Sequence, residues 1–151
     1  MALPTLRIIG FIIGIFLITL AVSMSVPMLT LVIFDRMGDL PSFLWASLIT
    51  FLAGLALVLP GRPEQVHLRP RDMYLLTVTS WVVVGIFAAL PFLLTQHISY
   101  TDSFFESMSG ITATGSTVLS GLDTMSPGIL MWRSMLHWLG GIGFIGMAVA
   151  I

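Results

Sequence analysis

Thr101-Asp102-Ser103-Phe104-Phe105-Glu106-Ser107-Met108-Ser109-Gly110-Ile111-Thr112-Ala113-Thr114-Gly115-Ser116-Thr117-Val118-Leu119-Ser120-Gly121-Leu122-Asp123 is the stretch whose reading decides the fold. It is too polar to cross a bilayer and too apolar for a plain exterior loop. Ser103-Phe104-Phe105-Glu106 matches a capping box, in which the serine accepts from an early helical N–H and the glutamate reaches back. The helix it starts is expected to end near Gly110 or Ile111, after about eight residues and about 12 Å. That covers less than half of a hydrocarbon layer about 30 Å thick. Such a piece exists at membrane depth only as a re-entrant element, buried in protein or lining water.

The composition around it makes the bilayer the solvent. Apolar residues make up 57% of the 151 residues, charged ones 9%, and mean hydropathy is +1.05. A soluble domain carries about 25% charged residues. Six arginines and seven acids cannot cover a soluble particle of this size. Lysine is absent, the net charge is −1, and the arginines are scattered, which argues against nucleic acid as a partner. With no cysteine there is no disulfide framework, thiolate nucleophile or thiolate metal site.

Charge-free runs set the organisation: 27 residues between Arg7 and Asp35, 22 between Asp39 and Arg62, 29 between Asp72 and Asp102, and 18 from 134 to 151. A spanning helix needs about 20 apolar residues. Spans are expected near 8–33, 42–60 and 73–95, with a fourth beginning near 129. No period-2 alternation recurs, which disfavours a β-barrel. Ala21-Val22-Ser23 resembles a signal-peptide cleavage site. The apolar run nevertheless continues to Phe34, beyond a signal core of about 7–15 residues, so the segment is read as a retained span. Pro27 is expected to kink it, and Gly10-x-x-x-Gly14 to offer a close-packing face.

Arg62, Arg69 and Arg71 share one short loop with Pro63 and Pro70, whereas the turn at 35–41 sets Arg36 against Asp35 and Asp39. The positive-inside rule then puts 61–72 and the N-terminus with Arg7 in the cytoplasm. Residues 96–128, with Asp102, Glu106, Asp123 and no arginine, fall on the outer side. The division is 1–60, an N-terminal pair of spans; 61–72, a cytoplasmic loop; and 73–151, one helix–loop–helix unit.

After the short helix, Ile111-Thr112-Ala113-Thr114-Gly115-Ser116-Thr117 disfavours helix, because β-branched threonines surround a glycine free to take torsions other residues avoid. An extended segment at membrane depth bares carbonyl oxygens. A partly dehydrated alkali cation satisfies them well. The preceding helix aims its C-terminal end, about half a negative charge, at the same point, which favours a cation over an anion.

These residues carry a resemblance. Phe105 through Gly115 resembles the first pore loop of Trk/Ktr-type potassium transporters. Trp132-Arg133-Ser134 and Trp138-Leu139-Gly140-Gly141-Ile142-Gly143 resemble the helix that follows it, and the TrkH membrane-subunit branch is the nearest. The resemblance implies an all-α integral membrane fold: two preceding transmembrane helices, then a potassium-channel-like helix–re-entrant pore loop–helix unit. It implies K⁺ uptake across a bacterial inner (cytoplasmic) membrane by a multi-pass protein, no enzymatic activity and no cofactor beyond the transported K⁺. It also implies four such units around one pore. Thr112, Ala113, Thr114 and Gly115 match the filter positions, with K⁺ held at the Ala113 and Thr114 carbonyls and Gly115 at the filter glycine. Family members often have threonine where Ala113 stands, a change to which a backbone carbonyl is indifferent. The implied partners are the lipid bilayer, a second copy of the full-length protein and a cytosolic nucleotide-binding regulatory subunit. The coupling ion, and with it symport against channel-like passage, stays open. Because the sequence stops at Ile151, inside the unit's second helix, it reads as a truncated fragment.

Other features have plainer readings. Gly141-Ile142-Gly143-Phe144-Ile145-Gly146 satisfies G-x-G-x-x-G but follows a helix-like run, so close helix packing, extended by Gly146-x-x-x-Ala150, is preferred to nucleotide binding. His67, His97 and His137 are too far apart for a metal site. His137 is expected at the membrane interface beside Trp132 and Trp138, in an aromatic belt. Glu106 either attracts ions or closes the capping box, and the box is favoured because the spacing already accounts for the residue. Asp102 and Asp123 are read as solvated charges, and the methionines as core filler. Arg133 either anchors the outer end of the fourth helix or pairs with one of the acids. Three rival readings remain: a self-contained homotetrameric channel, an intramembrane serine protease with Ser109 as nucleophile, and an inactive remnant of a split gene.

Overall fold

A computed structural model describes the backbone of residues 3–61 and 69–150 and the side chains of 6–61 and 69–143. Arg62, Pro63 and His67 of the expected cytoplasmic loop lie outside the described residues, as does the packing expected of Gly146 and Ala150. Among the described residues all regular secondary structure is helical. In order come α1 (Leu3–Ser23), α2 (Ser25–Ile33), α3 (Leu40–Val58), α4 (Pro70–Ala88), α5 (Leu90–Gln96), α6 (Tyr100–Ile111) and α7 (Pro127–Ala150). Single 3₁₀ turns at Met37–Asp39 and Leu122–Thr124 lead into α3 and α7.

Two prolines explain why the first and third spans are each split. Pro27 has no N–H to give the Ser23 carbonyl, and the helix breaks at Met24, between α1 and α2. Pro91 likewise leaves Phe87 without its donor, and the break falls at Ala89, between α4 and α5. Across these breaks the chain keeps direction, giving candidate membrane spans at Leu6–Ile33, Met37–Val58 and Pro70–Gln96. These are the three expected runs. The fourth helix, α7, has 24 residues, about 36 Å at 1.5 Å each, which is long enough to span.

α1 packs along α3, α2 against α7, and α6 lies between α4 and α7. Ile9, Ile13, Leu17, Leu20, Met24 and Leu31 line the buried side of the first span, so the segment that resembled a signal peptide supplies core. Leu44, Leu48, Leu52, Val78 and Val82 are exposed, as befits faces turned to acyl chains. The close contact of α1 with α3 does not use the whole Gly10-x-x-x-Gly14 face. A Cβ on Gly14 would lie 2.8 Å from the Gly54 carbonyl oxygen, and one on Gly54 would lie 2.9 Å from that of Gly14. At Gly10 the nearest atom would be Leu57 Cδ2 at 3.9 Å. The two backbones touch at Gly14 and Gly54, where dispersion holds helices together once water is absent.

Gly54→Leu should therefore force α1 and α3 apart, at about 1–3 kcal/mol for overpacking, and Gly10→Ala should be tolerated. Thermal unfolding in detergent, followed by loss of the monodisperse size-exclusion peak, checks both. Equal midpoints for the two variants would contradict the crossing.

Candidate functional site

The short helix begins one turn earlier than the Ser103–Glu106 pattern predicts. Ser99 is its N-cap: the Ser99 hydroxyl oxygen accepts from the Asp102 backbone N–H at 3.1 Å, and the Ser99 hydroxyl donates to Asp102 Oδ2 at 2.8 Å. Ser99-x-x-Asp102 is thus the working capping pattern. Asp102 is a first-turn acid beside the helix N-terminus rather than a purely solvated charge. α6 has 12 residues, about 18 Å, and still falls well short of the membrane's thickness.

The added turn changes what Glu106 does. It stands mid-helix, 1% exposed, and closes no capping box. Its Oε1 accepts from the Thr117 hydroxyl at 2.6 Å, the Val118 N–H at 2.6 Å and the Leu119 N–H at 3.3 Å. Arg133 on α7 approaches from the other side, with Nη1 3.7 Å from Glu106 Oε2 and donating to Thr117 Oγ1 at 3.1 Å. Of the two readings of Arg133, the acid pair is the one formed. Thr117 Oγ1 also accepts from the Leu119 N–H at 3.0 Å. Three elements therefore converge on one hydroxyl.

The three other buried polar side chains of α6, Ser103, Ser107 and Ser109, each have a partner. Ser107 donates to the Gly85 carbonyl of α4 at 2.8 Å, and Ser103 to the Ser99 carbonyl at 2.9 Å. Ser109, 2.6 Å from the Ser116 carbonyl oxygen, donates its hydrogen there and tethers the loop, which is not the role of a nucleophile. Gly85 lets α6 close on α4, since any Cβ there would collide with Met108 Sδ.

Between α6 and the Leu122–Thr124 turn, residues 112–121 are neither helix nor strand. Ala113 and Gly115 have left-handed backbones, at φ 55° and 79°, with Thr114 between them. Glycine takes this conformation without strain; alanine there is uncommon. Ala113 is held by the bond from its N–H to the Gly110 carbonyl at 2.9 Å, and Thr114 by its N–H to the Ser109 carbonyl at 3.0 Å. The Thr112 and Thr114 hydroxyls are 2.6 Å apart. Among the described residues, no donor reaches the carbonyl oxygens of Thr112, Ala113, Thr114 or Gly115, and all four residues are exposed. Four adjacent hard oxygen acceptors follow the C-terminus of a helix, a set suited to a cation.

α7 backs this loop along one stripe. Leu136 lies against Gly110, a Cβ on Gly140 would overlap the Ile111 carbonyl, and His137 Nε2 would lie 3.9 Å from a Cβ on Gly115. His137 Nδ1 sits 2.8 Å from the Arg133 carbonyl oxygen. His137 is therefore placed behind the loop and not in an aromatic belt. Trp132 departs from that expectation too. It is fully buried, and its indole N–H donates at 3.1 Å to the carbonyl of Ala88, the last residue of α4 before the break. Trp138 alone of the trio is exposed. Gly140 packs as expected, whereas Gly141 and Gly143 meet nothing within 4 Å.

Comparison with known proteins gives the family. The family model of TrkH, a cation transport protein, matches residues 39–151. The chain belongs to the TrkH family. The Trk system potassium uptake protein TrkH of Halomonas elongata is 40% identical over 149 residues, covering 97% of this chain and 31% of the relative. That of Escherichia coli K12 is also 40% identical, over 147 residues, 96% of this chain and 30% of the relative. The crystal structure of the potassium transporter TrkH from Vibrio parahaemolyticus superposes with a TM-score of 0.90 at 38% identity, over 96% of this chain and 31% of that one. The chain thus spans about a third of the length of these TrkH relatives.

Thr117, the Glu106–Arg133 pair, the Ser109 tether and His137 were not legible as loop-holding residues from sequence patterns. One signal was available for two of them. Arg133 is the single arginine after Arg71 in a chain without lysine, and an isolated arginine in apolar surroundings needs an acid. His137, four residues on, then shares its helix face.

Gly140→Ala should push the end of α6 away from α7, because the obstacle is the Ile111 backbone and not a flexible side chain. A loss of about 1–3 kcal/mol is expected, read as a lower midpoint when the purified protein is titrated with denaturing detergent. An unchanged midpoint would contradict the contact.

Proposed function

We propose that this chain is the part of a TrkH potassium uptake protein that supplies one of four filter segments, with K⁺ bound by the carbonyl oxygens of Thr112, Ala113, Thr114 and Gly115. One observation carries the reading. At the end of a helix too short to span, four consecutive exposed residues offer carbonyls that no described donor occupies. An ion shedding its hydration shell replaces water oxygens with these, and it meets the partial negative charge of α6 as it does so. The reaction is transfer between solvation shells, and no covalent bond changes.

The names of the relatives support potassium as the cargo. Ala113 and Thr114, the inner pair of the four, are assigned the ion itself. The orientation follows from arginine placement: Arg7, Arg69 and Arg71 on the cytoplasmic side of a bacterial inner membrane, and the loop at 112–121 toward the outside. In the complete protein, three further segments would close the filter. A second copy and a cytosolic nucleotide-binding subunit are the partners proposed with it.

Gly115 is the sharpest test, because its φ of 79° penalises any side chain. Gly115→Ser in the full-length protein, reconstituted in liposomes, is expected to fold and to admit Na⁺ in addition to K⁺, lowering the K⁺/Na⁺ flux ratio. A wild-type ratio would overturn the filter assignment.

A further inference from the structure

Glu106 invites the idea of a charge that draws cations toward the loop, and its surroundings argue against that. The carboxylate is 1% exposed, its Oε1 is filled by Thr117, Val118 and Leu119, and its Oε2, which has no hydrogen-bond partner among the described residues, is compensated by the Arg133 charge 3.7 Å away. An acid so neutralised projects little field into the loop. It does fix the chain directly after Gly115–Ser116. The two N–H groups it holds, at 118 and 119, mark where the loop leaves the four open carbonyls. Ser109, one helical turn further along α6, holds the Ser116 carbonyl at 2.6 Å. The loop is thus pinned from α6 at 116, 117, 118 and 119 and left unpinned at its carbonyls from 112 to 115.

We infer that Glu106, Thr117 and Arg133 form a positioning brace whose geometry, rather than whose charge, sets how strictly the adjacent carbonyls discriminate between cations. The inference rests on the filter reading proposed above and adds to it the residues that hold the filter's downstream end. Arg133 serves the brace twice, compensating the buried carboxylate and donating to the Thr117 hydroxyl. Removing either charged partner leaves the other charge in a poorly hydrated place, so the loop must rearrange to reach water or a new donor. Thr117 is the connecting atom group: it donates to Glu106 while accepting from Arg133 and Leu119. A hydroxyl is needed there, and the methyl is not.

The two ideas differ in sign at Arg133. If Glu106 acts by attraction, Arg133 opposes it. Arg133→Met would then raise K⁺ uptake, Glu106→Gln would lower it, and the K⁺/Na⁺ ratio would hold. For a brace, both substitutions loosen the same loop and the ratio falls in each. The test uses the full-length transporter in liposomes, with K⁺ and Na⁺ fluxes measured on Glu106→Gln, Arg133→Met, Thr117→Val, Thr117→Ser and Gly115→Ser. Thr117 is exposed and valine matches its shape, so that variant keeps the test open where a charge variant misfolds. The expected result is a fall of about tenfold in the K⁺/Na⁺ ratio for Glu106→Gln, Arg133→Met and Thr117→Val, the scale of one charge-assisted hydrogen bond. Thr117→Ser, which keeps the hydroxyl, should restore the ratio lost in Thr117→Val. A wild-type ratio in Thr117→Val and the charge variants, alongside a loosened Gly115→Ser, would overturn the brace and leave the filter standing. Opposite changes in K⁺ uptake at a constant ratio would overturn it in favour of attraction. A wild-type ratio in Gly115→Ser would remove the filter reading and the brace with it.

Discussion

Backbone that leaves helical geometry at membrane depth must have its polar groups taken up by something other than lipid. The unit from α4 to α7 is organised by that demand. Residues 116–119 give their polar groups to Ser109 and Glu106, and Thr112–Thr114 give their N–H groups back to the last turn of α6. The carbonyls at 112–115 are what is left over. A soluble loop would hand such groups to water without consequence. Here they stand together behind a short helix, and that concentration of unpartnered oxygen is the ground on which the loop is proposed as an ion site.

Close packing around α6 makes the arrangement possible. A helix carrying four buried polar side chains could not sit between two apolar helices unless each polar group found a partner within reach. Gly85 and Gly140 bring α4 and α7 near enough for Ser107 to reach a backbone carbonyl and for Arg133 to reach Thr117. The proline break at Ala89 plays a part as well. It adjoins the Ala88 carbonyl, which accepts from Trp132 and ties α7 to the same turn that Ser107 touches. Stability and site geometry therefore share one set of contacts, with α7 serving as the strut behind the loop.

The spans were legible because charge is excluded from hydrocarbon so strongly that its absence alone marks them: Leu6–Ile33, Met37–Val58 and Pro70–Gln96 fall on the charge-free runs. The end of α6 was legible too, since threonines around a glycine do not continue a helix. Its beginning was misread because two serine-x-x-acid patterns stand about one turn apart, at Ser99 and Ser103, and local pattern does not choose between them. Tertiary contact chooses: starting at Ser99 lets Glu106 turn inward to Thr117 and Met108 close on Gly85. Trp132 and His137 were misplaced for a related reason. An aromatic near a span's end satisfies a membrane interface and a buried donor position equally well until the break at Ala89, far away in sequence, supplies the acceptor. The left-handed backbone at Gly115 was foreseeable from its residue type; that at Ala113 was not, because it depends on the Gly110 carbonyl closing the helix end.

The most direct measurement is anomalous scattering from crystals of the full-length protein grown with Rb⁺ or Tl⁺ in place of K⁺. The account predicts anomalous density within direct coordination distance of the carbonyl oxygens between Thr112 and Gly115, with no water between ion and carbonyl. Density confined to the carboxylates of Asp102, Glu106 or Asp123, with none at the loop carbonyls, would contradict it.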